Sequence, residues 1–129
     1  MDYVTKELIT IYKPNGIDWM NFKITRENPI TYHHIEKREL GGIKTLENGA
    51  ILTKNSHQYL HLIECKEDKI YFAINKLLKL INIQKTPPTQ DQRQIMDYLL
   101  NEFYEAHKYD KNAKGKPLIK ERYLRYWNY

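Results

Sequence analysis

Residues 32–61 read YHHIEKRELGGIKTLENGAILTKNSHQYLH and hold four of the chain's five histidines. They form an adjacent pair, His33 and His34, and a second pair four residues apart, His57 and His61. Ile30 to Ile35 reads as a short strand, because Ile30, Thr31 and Tyr32 favour extended backbone. Alternation puts His33 and His34 on opposite faces of a regular strand, so both can serve one site only near its end. Glu36 to Glu47 is polar and contains Gly41-Gly42, hence a loop; Gly49 to Thr53 is a second strand. Asn55 or Ser56 is expected to cap a helix reaching about Glu64, on which His57 and His61 share an inward face.

Outward from this unit the signals are of mixed strength. Residues 2–13 alternate loosely and lean towards a strand, with Val4, Leu8, Ile9 and Ile11 as core positions. Pro14-Asn15-Gly16 is a turn, and Pro29 biases Asn28 away from helix. Downstream, KIYFAINKLLKLINIQ places Ile70, Ile74, Leu77, Leu78 and Ile81 at helical spacing. Thr86-Pro87-Pro88 stops that helix. Thr89 followed by Gln92 is a capping box opening another helix to about Lys108, with Ile95, Leu99, Phe103 and Ala106 as its apolar face. Asp110 to Pro117 reads as a linker, and a last helix is expected from Leu118 to about Trp127. The expected fold class is α+β: a single domain over 1–129, with a compact ββα core at 30–64 and a helical extension at 66–129.

With 41% hydrophobic and 29% charged residues, the composition is that of a globular chain rather than a disordered one. No run approaches a membrane span and the first residues lack a signal-peptide core, so a cytoplasmic protein with no membrane partner is expected. The single Cys65 can make no internal disulfide, is expected to be buried filler, and leaves histidine and oxygen as the metal ligands. The formal charge is +5, and it is uneven: residues 1–64 carry 8 basic against 8 acidic side chains, residues 65–129 carry 13 against 8. The C-terminal stretch KERYLRYWNY offers Lys120, Arg122 and Arg125 for phosphates, interleaved with aromatics. DNA is the expected partner, with a solvated basic helix, or one docked on the domain, as the competing reading.

Two imidazoles one helical turn apart can hold one cation, a third ligand can come from the neighbouring strand, and a further histidine beside the ion can act as general base. In order and spacing, His33-His34, Gly41-Gly42, Asn48, His57 and His61 resemble the HNH endonuclease family with its ββα-metal core. The resemblance covers about 30 of 129 residues. It implies that His33, His57 and His61 bind one divalent metal ion, Mg2+ or Mn2+ with Zn2+ or Ni2+ also accepted. It further implies that His34 is the base that activates a water, and that Asn48 braces the loop orienting that base. Arg38 follows closely enough to reach a phosphate, or to pair with Glu36 or Glu39. Taken singly, each histidine reads more readily as a half-buried structural residue and each Gly or Asn-Gly as a turn; the joint spacing carries the resemblance.

Many HNH proteins add CxxC pairs around the core, and the residue before the first helix histidine is often cysteine. Here that residue is Ser56, so the implied core is a cysteine-free one held by packing. The expected activity is metal-dependent hydrolysis of phosphodiester bonds in DNA. The rival is a non-catalytic DNA- or protein-binding accessory factor of a phage or mobile element. A homodimer or a protein partner is expected through the helical half. A closed structural zinc site is the weakest alternative, because His34, as neighbour of a ligand, is poorly placed to bind the same ion. His107, outside the motif, is expected to be solvated.

Overall fold

A computed structural model describes residues 1–127; the last two residues of the KERYLRYWNY stretch lie outside the described part. The elements are α1 (Tyr3–Tyr12), β1 (Ile30–His34), a short 3-10 turn (Arg38–Leu40), β2 (Gly49–Thr53), α2 (Lys54–Lys66), α3 (Asp68–Gln84), α4 (Gln90–His107) and α5 (Glu121–Tyr126). The class is α+β, with one antiparallel two-stranded sheet in a mainly helical chain.

The N-terminal segment is a helix, not the expected strand. Asp2 accepts hydrogen bonds from the Thr5 backbone N–H and hydroxyl, which satisfies free donors of the first turn. Thr5, Leu8 and Tyr12 then share the buried face at helical spacing, and local alternation loses to that packing. β1 and β2 pair as the sequence suggested, with Tyr32 opposite Ile51 and His34 opposite Gly49. α2 starts two or three residues earlier than expected. Its N-cap is Thr53, whose hydroxyl accepts from the Ser56 N–H, while Ser56 closes a capping box from the third helical position.

α3 buries all five expected residues and adds Tyr71 and Asn82. α4 opens on the expected Thr89–Gln92 box, but its inward face is Met96, Leu100 and Phe103, and Ile95 is 51% exposed. Among the reasons is Arg93, which turns inward to donate to the Asp18 carbonyl and Asn21 and so fixes the rotation of the helix. The last helix is shorter than expected, beginning at Glu121. Pro117 bridges back to Lys111, and Ile119, Tyr123 and Trp127 enter the core, so this stretch docks on the domain. Trp19, Met20, Phe22 and Tyr59 form the centre of the same apolar cluster. No helix among the described residues is long and apolar enough to cross a membrane.

Cys65 is exposed rather than buried. His107 departs from expectation in the opposite direction: its side chain is only 14% exposed, with Nδ1 on Asp110 at 2.6 Å and Nε2 on Glu67 at 3.0 Å. Burial alone would lower its pKa, but the bonds to Asp110 and then Glu67 outweigh that and hold it above the ordinary value. A raised folded pKa gives stability that is full below the unfolded value of about 6.5 and is lost as pH rises through the folded one. The unfolding midpoint of the wild type is therefore expected to fall between pH 6 and pH 8 relative to His107→Gln. Urea titrations at both pH values check this, and parallel curves would remove His107 as the cause.

Candidate metal and phosphodiester site

β1 ends at its two histidines, so the backbone can send both into one depression. That depression is lined by His33, His34, Lys37, Arg38, Glu39, His57, His61 and Tyr71. His33 is buried against α2 and α3. Its Nε2 lies 3.0 Å from Asn75 Oδ1, and Asn75 Nδ2 donates to the Ile35 carbonyl at 2.6 Å. The second bond fixes the amide orientation, so Oδ1 is the group facing the ring and Nε2 must carry the proton. His33 Nδ1 is thus left with a bare lone pair.

The same logic applies to His57. Its Nδ1 stands 3.2 Å from the Thr31 hydroxyl, whose own proton is directed to the Leu52 carbonyl at 2.9 Å. Thr31 therefore accepts from Nδ1–H, and His57 Nε2 is the bare nitrogen. The two bare nitrogens face each other at 3.4 Å. Burial lowers both pKa values to about 4, and for His57 the neighbouring His33 adds to it, so both rings are neutral at pH 7. Two converging lone pairs with no proton between them repel unless something positive lies between. Two nitrogens each about 2.05 Å from a tetrahedral ion stand about 3.3–3.4 Å apart, which is the separation found here.

His61 is placed differently from the expectation that both helix histidines point inward. Its ring stacks on His57 with centroids 4.9 Å apart, its side chain is 61% exposed, and its Nδ1 lies 3.7 Å from Glu64 Oε1. No group of three or more His, Cys, Asp or Glu side chains converges as a metal-holding set among the described residues. The donor set is a pair of imidazoles with a third one helical turn away.

His34 meets Tyr32 edge-on at 4.8 Å and is only half-buried. Partial burial and then the positive charges of Arg38 and Lys44 lower its pKa below the usual histidine value, so at pH 7 it is neutral and able to take a proton. Arg38 has no ion-pair partner among the described residues; neither Glu36 nor Glu39 engages it, and it lines both this depression and a second one beside His34 and Lys44.

Asn48 closes the loop that follows His34. Its Oδ1 accepts from the Glu36 N–H at 2.7 Å, and its Nδ2 donates to the carbonyls of Glu36 and Ile43. The loop must pass close to itself to permit this. A Cβ at Gly42 would stand 1.9 Å from the Glu36 carbonyl oxygen, and Gly41 has φ of 95°.

The basic C-terminal residues lie apart from this depression. Arg122 donates to Gln58 and stacks over Tyr123, Arg125 pairs with Glu121 at 2.6 Å, and Lys120 is the exposed N-cap of α5.

No protein-family model, no curated protein and no solved structure matches this chain.

Three residues at the site carry no motif signal. Asn75 and Thr31 set the histidine tautomers. Asp18, fully buried, accepts from the N–H groups of Met20, Phe22 and Thr53 and from the Ser56 hydroxyl, at 2.5–3.0 Å. Burial pushes its pKa up against those hydrogen bonds, Ser56 first, which hold it down. It ties the loop before β1 to the start of α2, one residue from His57. The available signal was an acidic residue inside the apolar run IDWMNF.

Proposed function

We propose that this chain is a metal-dependent endonuclease of the HNH type acting on DNA. The observation that carries the reading is the pair of bare, neutral nitrogens on His33 and His57, 3.4 Å apart, beside a neutral His34 and an Arg38 that has no ion-pair partner among the described residues. His33 and His57 would hold the cation, and His61, whose ring now lies outward on His57, would have to turn to add a third nitrogen. The cation, when bound, supplies charge neutralisation at the scissile phosphate and at the leaving oxygen. His34 takes the proton of the attacking water, and Arg38 holds a phosphate oxygen by its guanidinium fork. Asn48 fixes the loop backbone after His34, which limits how far the base can swing. Imidazole donors favour Zn2+ or Ni2+ for tight binding, while Mn2+ and Mg2+ rely more on water and phosphate oxygens.

The test is plasmid cleavage in Mg2+, Mn2+, Ni2+ or Zn2+, each against an EDTA control. Cleavage in at least one metal that EDTA abolishes is expected; no cleavage in any of them overturns the reading.

Asn75 also gives a prediction that does not rely on turnover. A side chain that fixes the tautomer and ring plane of a ligand commonly changes metal affinity by about 10–100-fold when removed. Asn75→Leu is therefore expected to weaken Co2+ or Zn2+ binding by that factor in a calorimetric titration, with the far-UV spectrum unchanged. Equal affinity would show that His33 holds its orientation without Asn75.

A further inference from the structure

α3 and α4 form an antiparallel hairpin whose two ends are pinned. Gln84 and Gln92 exchange side-chain bonds of 3.0 and 2.8 Å at one end, and His107 holds Glu67 at the other. Positions along the two helices are thereby levelled against each other: Leu80 beside Ile95, and Lys69 beside Glu105.

The outer faces of these helices carry matching stripes. On α3, Lys69, Ala73, Lys76, Leu80 and Ile83 recur at alternating steps of four and three, and all but the half-buried Ala73 are exposed. On α4, Asp91, Ile95, Tyr98, Glu102 and Glu105 recur at the same steps, all exposed. Each set therefore lies along one face of its helix. Leu80, Ile83, Ile95 and Tyr98 are between 51% and 69% exposed, an apolar patch at one end of the hairpin. The other end is basic on α3 and acidic on α4.

We infer that these faces form the interface of a homodimer, in which α3 of each copy packs antiparallel on α4 of the other. A two-fold axis parallel to the helices brings α3 onto the partner's α4 at the same level. Leu80 and Ile83 then meet the Ile95–Tyr98 end, where a shallow depression lined by Asp91, Gln94, Ile95 and Tyr98 provides a seat. Lys69 comes level with Glu105, which within the chain also pairs with Lys108 at 2.7 Å, and Lys76 comes within reach of Glu102. The alternative two-fold, perpendicular to the helices, sets α3 on α3 with the levels reversed: Lys76 then meets its own copy, Asp91 faces Glu105, and Ile83 and Ile95 face Lys69 and Glu102, so charge selects the first. The occupant is a second copy of this chain because the hairpin itself supplies both complementary stripes in register. The inference is independent of the nuclease reading.

Sedimentation velocity and light scattering of the full chain test it. The wild type is expected near about 31 kDa, twice the 15.6 kDa chain mass. Leu80→Glu is expected to return it to the chain mass, and Glu102→Lys to raise the dissociation constant at least tenfold. Adding Lys76→Glu to Glu102→Lys is expected to restore most of that loss. All three positions are on exposed faces, so folding, followed by circular dichroism, should be unaffected. A wild type that stays at the chain mass at several hundred micromolar overturns the dimer. A dimer indifferent to Leu80→Glu, or a double charge swap that restores nothing, overturns this pairing.

Discussion

His34→Ala is expected to lower DNA cleavage by about 10²–10⁴-fold while leaving metal affinity within about twofold of wild type. The split follows from the two histidines' surroundings. His33 is buried and its nitrogens are committed, one to Asn75 and one to the space shared with His57. Among the described residues the His34 side chain makes no hydrogen bond; it reaches solvent and faces Arg38 and Lys44. Removing it takes away a proton acceptor but no proposed ligand. His33→Ala is the contrasting control, expected to lose metal binding and cleavage together.

Because partial burial and then Arg38 and Lys44 lower the pKa of His34, its neutral form persists below pH 6.5. The acid limb of the wild-type rate profile is expected below that value. Arg38→Gln removes a contributor to the lowering and is expected to move the limb upward. Initial rates across pH 5–8 at saturating metal, with calorimetry on the same preparations, test both statements. If His34→Ala cleaves as fast as wild type, His34 is not the base and the non-catalytic reading of the fold gains.

The sequence exposed the parts of this site whose signals are local. Strand, loop, strand and helix over Ile30–Lys66 could be read because β-branched residues, Gly-Gly and a polar cap each act within a few positions. The amphipathic α3 and the Thr89–Gln92 box were legible for the same reason. The misses share a different cause. The loose alternation of residues 2–13 points to a strand, whereas the helix α1 is fixed by the Asp2 cap and by Leu8 and Tyr12 packing on the domain, contacts that alternation does not show. The rotation of α4 is set by Arg93 reaching Asp18, 75 residues away. The site divides along the same line. Spacing brought out His33, His34, Asn48 and His57, while Asn75, 42 residues beyond His33, enters only through a long-range contact. His61 sits at the right interval, yet its ring lies outward on His57, because the interval fixes the helix face and not the rotamer.

The largest expected effect on stability belongs to a residue outside the motif. Asp18→Ala is expected to cost about 3–5 kcal/mol, measured by urea unfolding, a large fraction of the roughly 5–15 kcal/mol that holds a domain together. The substitution leaves three buried N–H groups and one hydroxyl facing a cavity, and each unsatisfied donor costs about 1–3 kcal/mol before water or relaxation recovers part of it. Asp18→Asn keeps the shape but turns an NH2 group towards two donors, so a smaller loss of about 2–3 kcal/mol is expected. The milder variant is the more informative about function. Asp18 receives the Thr53 N–H and the Ser56 hydroxyl at the first turn of α2, so its loss lets that turn move and carries His57 with it. Metal affinity should therefore fall in Asp18→Asn more than in a variant of similar stability cost on an element that packs on β2 instead of α2, such as Leu8→Ala in α1. Equal affinities in the two would show that the helix start holds its position without the carboxylate, and that Asp18 serves the fold alone.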